Sequence, residues 1–301
     1  MRGLRAFPER WVNRRGFLAC SASVAALGAL GAGRGVAAAP AVEERLRALE
    51  AAARGRLGVQ VIDTGSGVQY GYRADERFKL LSSFKLLACA LVLHRVERGE
   101  ESLARRIRFG REALVPWSPV TEPAAGGEAL SLGELCAATI TTSDNTAANL
   151  ILASYGGPAA LTAYLRTLGD TVTRLDRIEP MLNTGLATDG LDTSSPRAIA
   201  ETMRTLLFGD ALAPASRTRL AEWLLANTTG DRRLKAGLPT GWRIGDKTGT
   251  NATDANDIGV IWPPGRAPLI VTAYLAESAA DAATRETTLA AVGRLVSELG
   301  G

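Results

Sequence analysis

The sequence predicts an α/β protein of the α+β type: an antiparallel five-stranded sheet, flanked by terminal helices, with an all-helical domain inserted into it. Two observations lead there. Short β-rich segments separated by turn residues occur at both ends of residues 42–300, two over 57–72 and three over 242–275. Between them, from Ser82 to about Asn227, the patterning is almost wholly helical. One sheet built from both ends of the chain satisfies that order, with the helical block inserted as a second domain. The expected division is 42–74 with 228–301 for the sheet domain and 75–227 for the helical one, with a site between them.

Taken in order, 42–53 places Val42, Leu46, Leu49 and Ala53 on one helical face and stops at Gly55. Segments 57–63 and 68–72 are β-rich, and Thr64-Gly65-Ser66-Gly67 between them is a hairpin signal. The run 84–93 is apolar on nearly every side apart from Lys85, the mark of a helix buried within a domain. Ser131-Leu132-Gly133-Glu134 has the form of a capping box for a helix bearing Leu135, Cys136 and Ile140. Helices follow at 147–153 and 159–168, the second ending at Gly169. Ser195-Pro196 starts another through Leu207, with proline in the favoured first position, and 217–226 makes one more. Strands at 242–248, 257–262 and 269–275 are separated by Asn/Asp or Pro-Pro-Gly turns. A last amphipathic helix, with Leu289, Val292, Leu295, Val296 and Leu299, closes at Gly300.

The chain has 301 residues, 46% of them apolar, enough for one large domain or two interleaved ones. Arg14-Arg15 precedes an uncharged Ala/Gly/Leu/Ser stretch to about Gly33, and small residues continue to Ala41. Residues 1–39 therefore read as an export signal of the twin-arginine type, with the periplasm as destination. So much Gly, Ser and Ala is poor material for a membrane span. The formal charge is +4, but residues 1–39 carry six arginines against Glu9, which leaves the remainder near −1. The basic balance belongs to the leader, and nothing points to nucleic acid or an anionic membrane as partner. A processed monomer without stable membrane association is expected. Cys89 and Cys136 remain after processing, and in an exported protein an even pair reads as a disulfide, two free buried thiols being the alternative. A bridge closing about 47 residues would stabilise by roughly 4 kcal/mol in the chain-entropy model.

Ser82 and Lys85 stand three residues apart at the start of the 84–93 helix, so one turn stacks an amine next to a hydroxyl. The helix N-terminus favours a developing oxyanion, and burial favours a neutral lysine able to take a proton from serine. Three further clusters fall at element boundaries: Ser143-Asp144-Asn145, Lys247-Thr248-Gly249-Thr250, and Asp176 to Asn183 opening a loop that runs to Asp192. Singly they read as a cap, a strand end and a solvated loop. Together they are the parts list for acyl transfer. His94, the one histidine, lies a dozen residues along the nucleophile helix, which argues against a Ser-His-Asp triad. With one histidine and a paired cysteine set, a zinc hydrolase is excluded in practice. The base is then Lys or Glu, and neither cofactor nor metal is required.

These residues, in this order and at these separations, closely resemble the class A serine β-lactamases over roughly 42–300. The resemblance rests on Ser82-Ser83-Phe84-Lys85, Ser143-Asp144-Asn145, Glu179-Pro180-Met181-Leu182-Asn183 and Lys247-Thr248-Gly249. Trp117-Ser118-Pro119-Val120-Thr121-Glu122 and Asn256-Asp257-Ile258 through Trp262-Pro263 are similar as well. It implies the fold shared by serine β-lactamases and D,D-peptidases, with a small-molecule β-lactam as substrate. Ser82 would attack the lactam carbonyl, with the backbone N–H groups of Ser82 and Thr250 as oxyanion hole. Lys85, or Glu179 through a water, would take the serine proton. Ser143 would relay a proton to the departing nitrogen, with Lys247 holding the network. Glu179 and Asn183 would position the hydrolytic water. Asn145 would bind the acylamide, Thr248, Thr250 and Arg233 the substrate carboxylate, and Trp117 would line the entrance. Arg177 and Asp192 would pair to close the loop bearing Glu179, the Glu179–Pro180 bond would be cis, and a Cys89–Cys136 bridge would tie two helices together. The chain departs from the family in a shorter 251–255 segment, with Asn251 where glycine is frequent and Ala255 where some members carry an arginine.

Two alternatives share the chemistry. A penicillin-binding D,D-peptidase has Ser-x-x-Lys and Lys-Thr-Gly but not the deacylating base that Glu179 with Asn183 supplies. A β-lactam sensor of the same fold would keep the nucleophile and retain its adduct.

Overall fold

The structure, a computed structural model, describes residues 32–299, with side chains from Ala41 onward. Arg14-Arg15 and most of the expected export signal lie outside the described residues. The first helix, α1 (Ala32–Ala53), begins upstream of the expected residue 42. It leads into the hairpin of β1 (Arg56–Asp63) and β2 (Gln69–Tyr72), whose turn is fixed by Asp63 Oδ1 accepting from the N–H groups of Gly65 and Ser66 at 2.8 and 3.2 Å.

A short strand, β3 (Phe78–Lys79), runs into a 3₁₀ turn, Leu81–Ser83, and then α2 (Phe84–Glu97). Every residue of α2 from Phe84 to Leu93 is buried, as its all-round apolar pattern requires. Around it stand β4 (Arg106–Ile107), α3 (Thr121–Ala124), β5 (Leu130–Ser131), α4 (Leu132–Thr141), α5 (Asn145–Ser154) and α6 (Pro158–Thr167). The capping box of α4 forms as expected: Glu134 N donates to Ser131 Oγ at 3.1 Å and Ser131 N to Glu134 Oε2 at 2.6 Å. A long loop reaches β6 (Thr193–Ser194), followed by α7 (Pro196–Phe208) and α8 (Pro214–Leu225). The chain closes with β7 (Arg243–Thr250), β8 (Ala255–Trp262), β9 (Leu269–Ala276) and α9 (Ala282–Leu299). The two-residue pairs β3–β6 and β4–β5 were not expected, being too short to show any alternation.

The sheet is fully antiparallel, in the order β2-β1-β9-β8-β7, so strands from both ends of the chain interleave. On one face α1 and α9 cover Leu57, Val59, Val271 and Leu275 with Leu46, Leu289, Val292 and Val296. On the other, Ile62, Ile258, Val260 and Ile270 join the core around α2, α4, α5, α7 and α8. Coverage on both sides explains why β8 and β9 read as near-continuous apolar runs.

One expectation is corrected here. Cys89 on α2 and Cys136 on α4 are adjacent, fully buried and unlinked. Cys89 Sγ faces the Cys136 carbonyl oxygen at 3.7 Å. Burial and the neighbouring Cys136 side chain push the Cys89 thiol well above its ordinary pKa, and it packs as a small hydrophobe.

Candidate active site

The nucleophile turn is built by close approach. Leu81 adopts φ 48°, in the left-handed region, which swings Ser82 out of the line of α2. Asn256 Nδ2, on β8, donates to the carbonyls of Lys79 and Leu80 at 2.8 and 3.2 Å, and Ser83 Oγ donates to Leu80 O at 2.6 Å. Strand β7 lies so near that a Cβ on Gly249 would come 2.9 Å from Leu81 Cβ and 3.1 Å from Leu80 O. Glycine is what lets the strand and the turn touch. Ser82 is thereby left half-buried at the floor of a cavity of about 460 Å³.

Below Ser82 two charged side chains are completely buried. Lys85 Nζ donates to Ser143 O at 2.8 Å, Ser143 Oγ at 3.3 Å and Asn145 Oδ1 at 2.5 Å, and lies 3.2 Å from Glu179 Oε1. Ser82 Oγ donates to the same Glu179 Oε1 at 3.4 Å. The hydroxyl and the amine therefore converge on one carboxylate oxygen, where the sequence alone suggested simple stacking. Burial lowers the Lys85 pKa, while the negative charges of Glu179 and Asp144 act to raise it.

Glu179 is held at both backbone ends by one amide: its N–H donates to Asn149 Oδ1 and Asn149 Nδ2 donates to its carbonyl, each at 2.9 Å. Its other carboxylate oxygen accepts from Asn183 Nδ2 at 2.6 Å. The Glu179–Pro180 bond is cis. At the loop neck Arg177 Nε meets Asp192 Oδ2 at 2.5 Å, while Asp192 Oδ1 accepts from the N–H groups of Asp176 and Arg177 at 2.7 and 2.9 Å. These two residues close the loop and do not line the cavity.

The opposite wall begins at Ser143, also left-handed at φ 60°. Buried Asp144 caps α5 and accepts from Val120 N, Thr121 N and Thr121 Oγ1, which fixes the entrance segment. Ser143 Oγ is shared between Lys85 and Lys247, whose Nζ lies 3.1 Å away. Burial and the neighbouring Lys85 drive the Lys247 amine well below its ordinary pKa. Further along β7, Thr248 Oγ1 pairs with Thr229 Oγ1 at 2.5 Å, and Arg233 Nη2 donates to Thr250 Oγ1 at 2.6 Å. Arg233 Nη1 is anchored on the carbonyls of Gly249 and Asn256. Trp117 stands at the mouth, 67% exposed, its Nε1 donating to Thr142 O at 3.0 Å. Asn145 spans the gap, accepting from Lys85 and donating to Pro116 O at 2.8 Å. A hydroxyl nucleophile, amines of depressed basicity, a buried carboxylate and a cation beside two threonines suit acyl transfer to an anionic substrate.

Known proteins agree. A family model described as the β-lactamase enzyme family matches residues 41–299. The chain is 48% identical over 256 residues to β-lactamase L2 of Stenotrophomonas maltophilia, covering 84% of each chain. It is 46% identical over 259 residues to the carbapenem-hydrolyzing β-lactamase KPC of Klebsiella oxytoca, covering 85% of this chain and 88% of that one. Among solved structures, the ancestral (GNCA) class A β-lactamase superposes with a TM-score of 0.84 at 58% identity, over 86% of this chain and 99% of that one. The chain belongs to the class A serine β-lactamases.

As a β-lactamase it is a hydrolase of β-lactams, an antibiotic-resistance activity. Sequence reasoning missed several residues that shape its site. Asn149 lies one turn beyond Asn145 on α5, a spacing that could have placed it on the same face. Glu286, from α9, lines the cavity beside Arg233, and Thr229 lines it from the segment before β7. Neither carried a sequence signal, because both reach the cavity only through tertiary packing. His94 packs on Tyr164, ring centroids 5.0 Å apart.

Proposed function

We propose that this β-lactamase opens its substrate by forming an ester on Ser82 and releases it with water activated by Glu179. The observation that carries the reading is the convergence of Ser82 Oγ and Lys85 Nζ on Glu179 Oε1, at 3.4 and 3.2 Å. Ser82 Oγ attacks the lactam carbonyl carbon as its proton passes to Lys85 or, through a water, to Glu179. The backbone N–H groups of Ser82 and Thr250 hold the oxyanion. The C–N bond then breaks, and the nitrogen takes the proton of Ser143 Oγ, which either Lys85 or Lys247 can replace. In the second half, Glu179 removes a proton from water held with Asn183, the hydroxide adds to the ester carbonyl, and the bond to Ser82 Oγ breaks as that oxygen regains a proton from Lys85 or Glu179. Thr248, Thr250 and Arg233 receive the substrate carboxylate, Asn145 its acylamide, and Trp117 flanks the entrance.

Mass spectrometry after exposure to benzylpenicillin tests this. Glu179→Ala is expected to accumulate a covalent adduct while turnover falls by about 10²–10⁴, the usual worth of a general base. Ser82→Ala is expected to carry no adduct. Wild-type turnover in Glu179→Ala, or labelling of Ser82→Ala, overturns the assignment. A D,D-peptidase or a sensor would instead retain the adduct in the wild-type protein.

We also propose an unanchored monomer in the periplasm; the Arg14-Arg15 leader supports export by the twin-arginine route, and replacing both arginines by lysine and following activity in periplasmic fractions tests that. Strand-rich 42–74 with 228–301, and helix-rich 75–227, are the two units between which we place the site.

A further inference from the structure

We propose that the buried Lys79–Asp254 pair is a positioning device for the hydrolytic half-reaction, fastening the loop that carries Glu179 and Asn183 to the sheet. The inference rests on the reading of Glu179 as the deacylating base. Lys79 lies on β3, just before the nucleophile turn, and its Nζ is 2.8 Å from Asp254 Oδ2, with side-chain exposures of 9% and 2%. The same amine donates to the carbonyl of Gly185, inside the 176–192 loop, at 3.3 Å.

Asp254 belongs to the short turn between β7 and β8, and it is held from several sides. Its Oδ1 accepts from Thr253 Oγ1 and Glu277 N, both at 2.8 Å, and its Oδ2 from Asn251 Nδ2 at 3.3 Å. Asn251 is itself locked, its Oδ1 accepting from Thr253 N and Asp254 N at 2.9 and 2.7 Å. The second hydrogen of its amide reaches the carbonyl of Asn183 at 3.4 Å. The loop is thus fastened at 183 and 185, and the Asn183 side chain is the one bonded to Glu179 Oε2. The Arg177–Asp192 pair closes the loop upon itself and does not attach this middle portion to β3 or to the turn.

The consequence is asymmetric. Where Lys85 takes the serine proton, acylation keeps its geometry, because Ser143 and Asn145 orient that amine from outside the clamp. Deacylation depends on Asn183 and Glu179, where a shift of a fraction of an ångström is costly. Releasing the clamp is therefore expected to slow deacylation about tenfold and leave acylation within about threefold. When deacylation limits turnover, kcat and KM fall together and kcat/KM holds, whereas loss of folded protein lowers kcat at constant KM.

The full chain carrying Lys79→Met is compared with wild type on benzylpenicillin, by steady-state kinetics and by intact mass during turnover. Parallel falls in kcat and KM, a larger acylated fraction, and their reversal in Lys79→Arg are expected. Unchanged constants, or a kcat loss at fixed KM, overturn the proposal. Should the lone buried carboxylate of Lys79→Met prevent folding, Lys79→Met with Asp254→Asn removes both charges and is read by the same criteria. Glu179→Ala separates the two readings. Wild-type turnover in that variant removes the deacylation reading itself, while a trapped adduct there with wild-type constants in Lys79→Met removes only the clamp.

Discussion

A methyl group at residue 249 has nowhere to go, because Leu81 and its left-handed turn fill the space above the strand. Gly249→Ala is expected to push the Ser82 turn outward and lower kcat/KM about 100-fold, with the circular dichroism spectrum unchanged. The Lys-Thr-Gly pattern was legible in the sequence, but the reason for its glycine was not, since it lies in a contact between residues 81 and 249. Asn149 is a similar case. Its amide alone satisfies both the N–H and the C=O of Glu179. Asn149→Ala is expected to cost about 2 kcal/mol in urea unfolding, from backbone groups left without partners, and to depress turnover as Glu179 loosens.

Among the elements, those defined by local chemistry were the most legible. The Ser131–Glu134 box, the proline opening α7 and the apolar run of α2 each appear where their residues predict. The two-residue strands were hidden, because each exists only through its partner. The cysteines show the limit of reasoning from compartment: α2 and α4 bring them together, yet Cys89 aims at a carbonyl and stays a thiol. A reductant is accordingly expected to leave the thermal midpoint unchanged, and both cysteines should alkylate on unfolding without prior reduction. A midpoint that drops on reduction would contradict the unlinked pair.

Across the whole molecule, the plan of a sheet assembled from both chain ends could be read from the placement of β-rich segments, whereas the strand order could not. Interleaving also buries charge deep under the site. Asp246 on β7 accepts from Asn227 Nδ2 at 2.8 Å, and Asp257 on β8 accepts from Leu234 N at 3.0 Å. Burial raises both pKa values, and the negative charge of Asp246 raises that of Asp257 as well. A carboxyl raised on folding contributes stability that is complete below its unfolded pKa and is lost as pH rises through the folded one. Asp257→Asn is expected to flatten that decline when urea midpoints are compared from acid to alkaline pH.

Strand β1 pairs along its whole length with β9, from Arg56 opposite Ala276 to Asp63 opposite Leu269. A ribosome makes the first of these early and the second nearly last, so the middle of the sheet stays open for most of translation. A premature stop shortly before codon 269 would spare every residue assigned to the chemistry and still release a chain with an unzipped centre, ready for proteases.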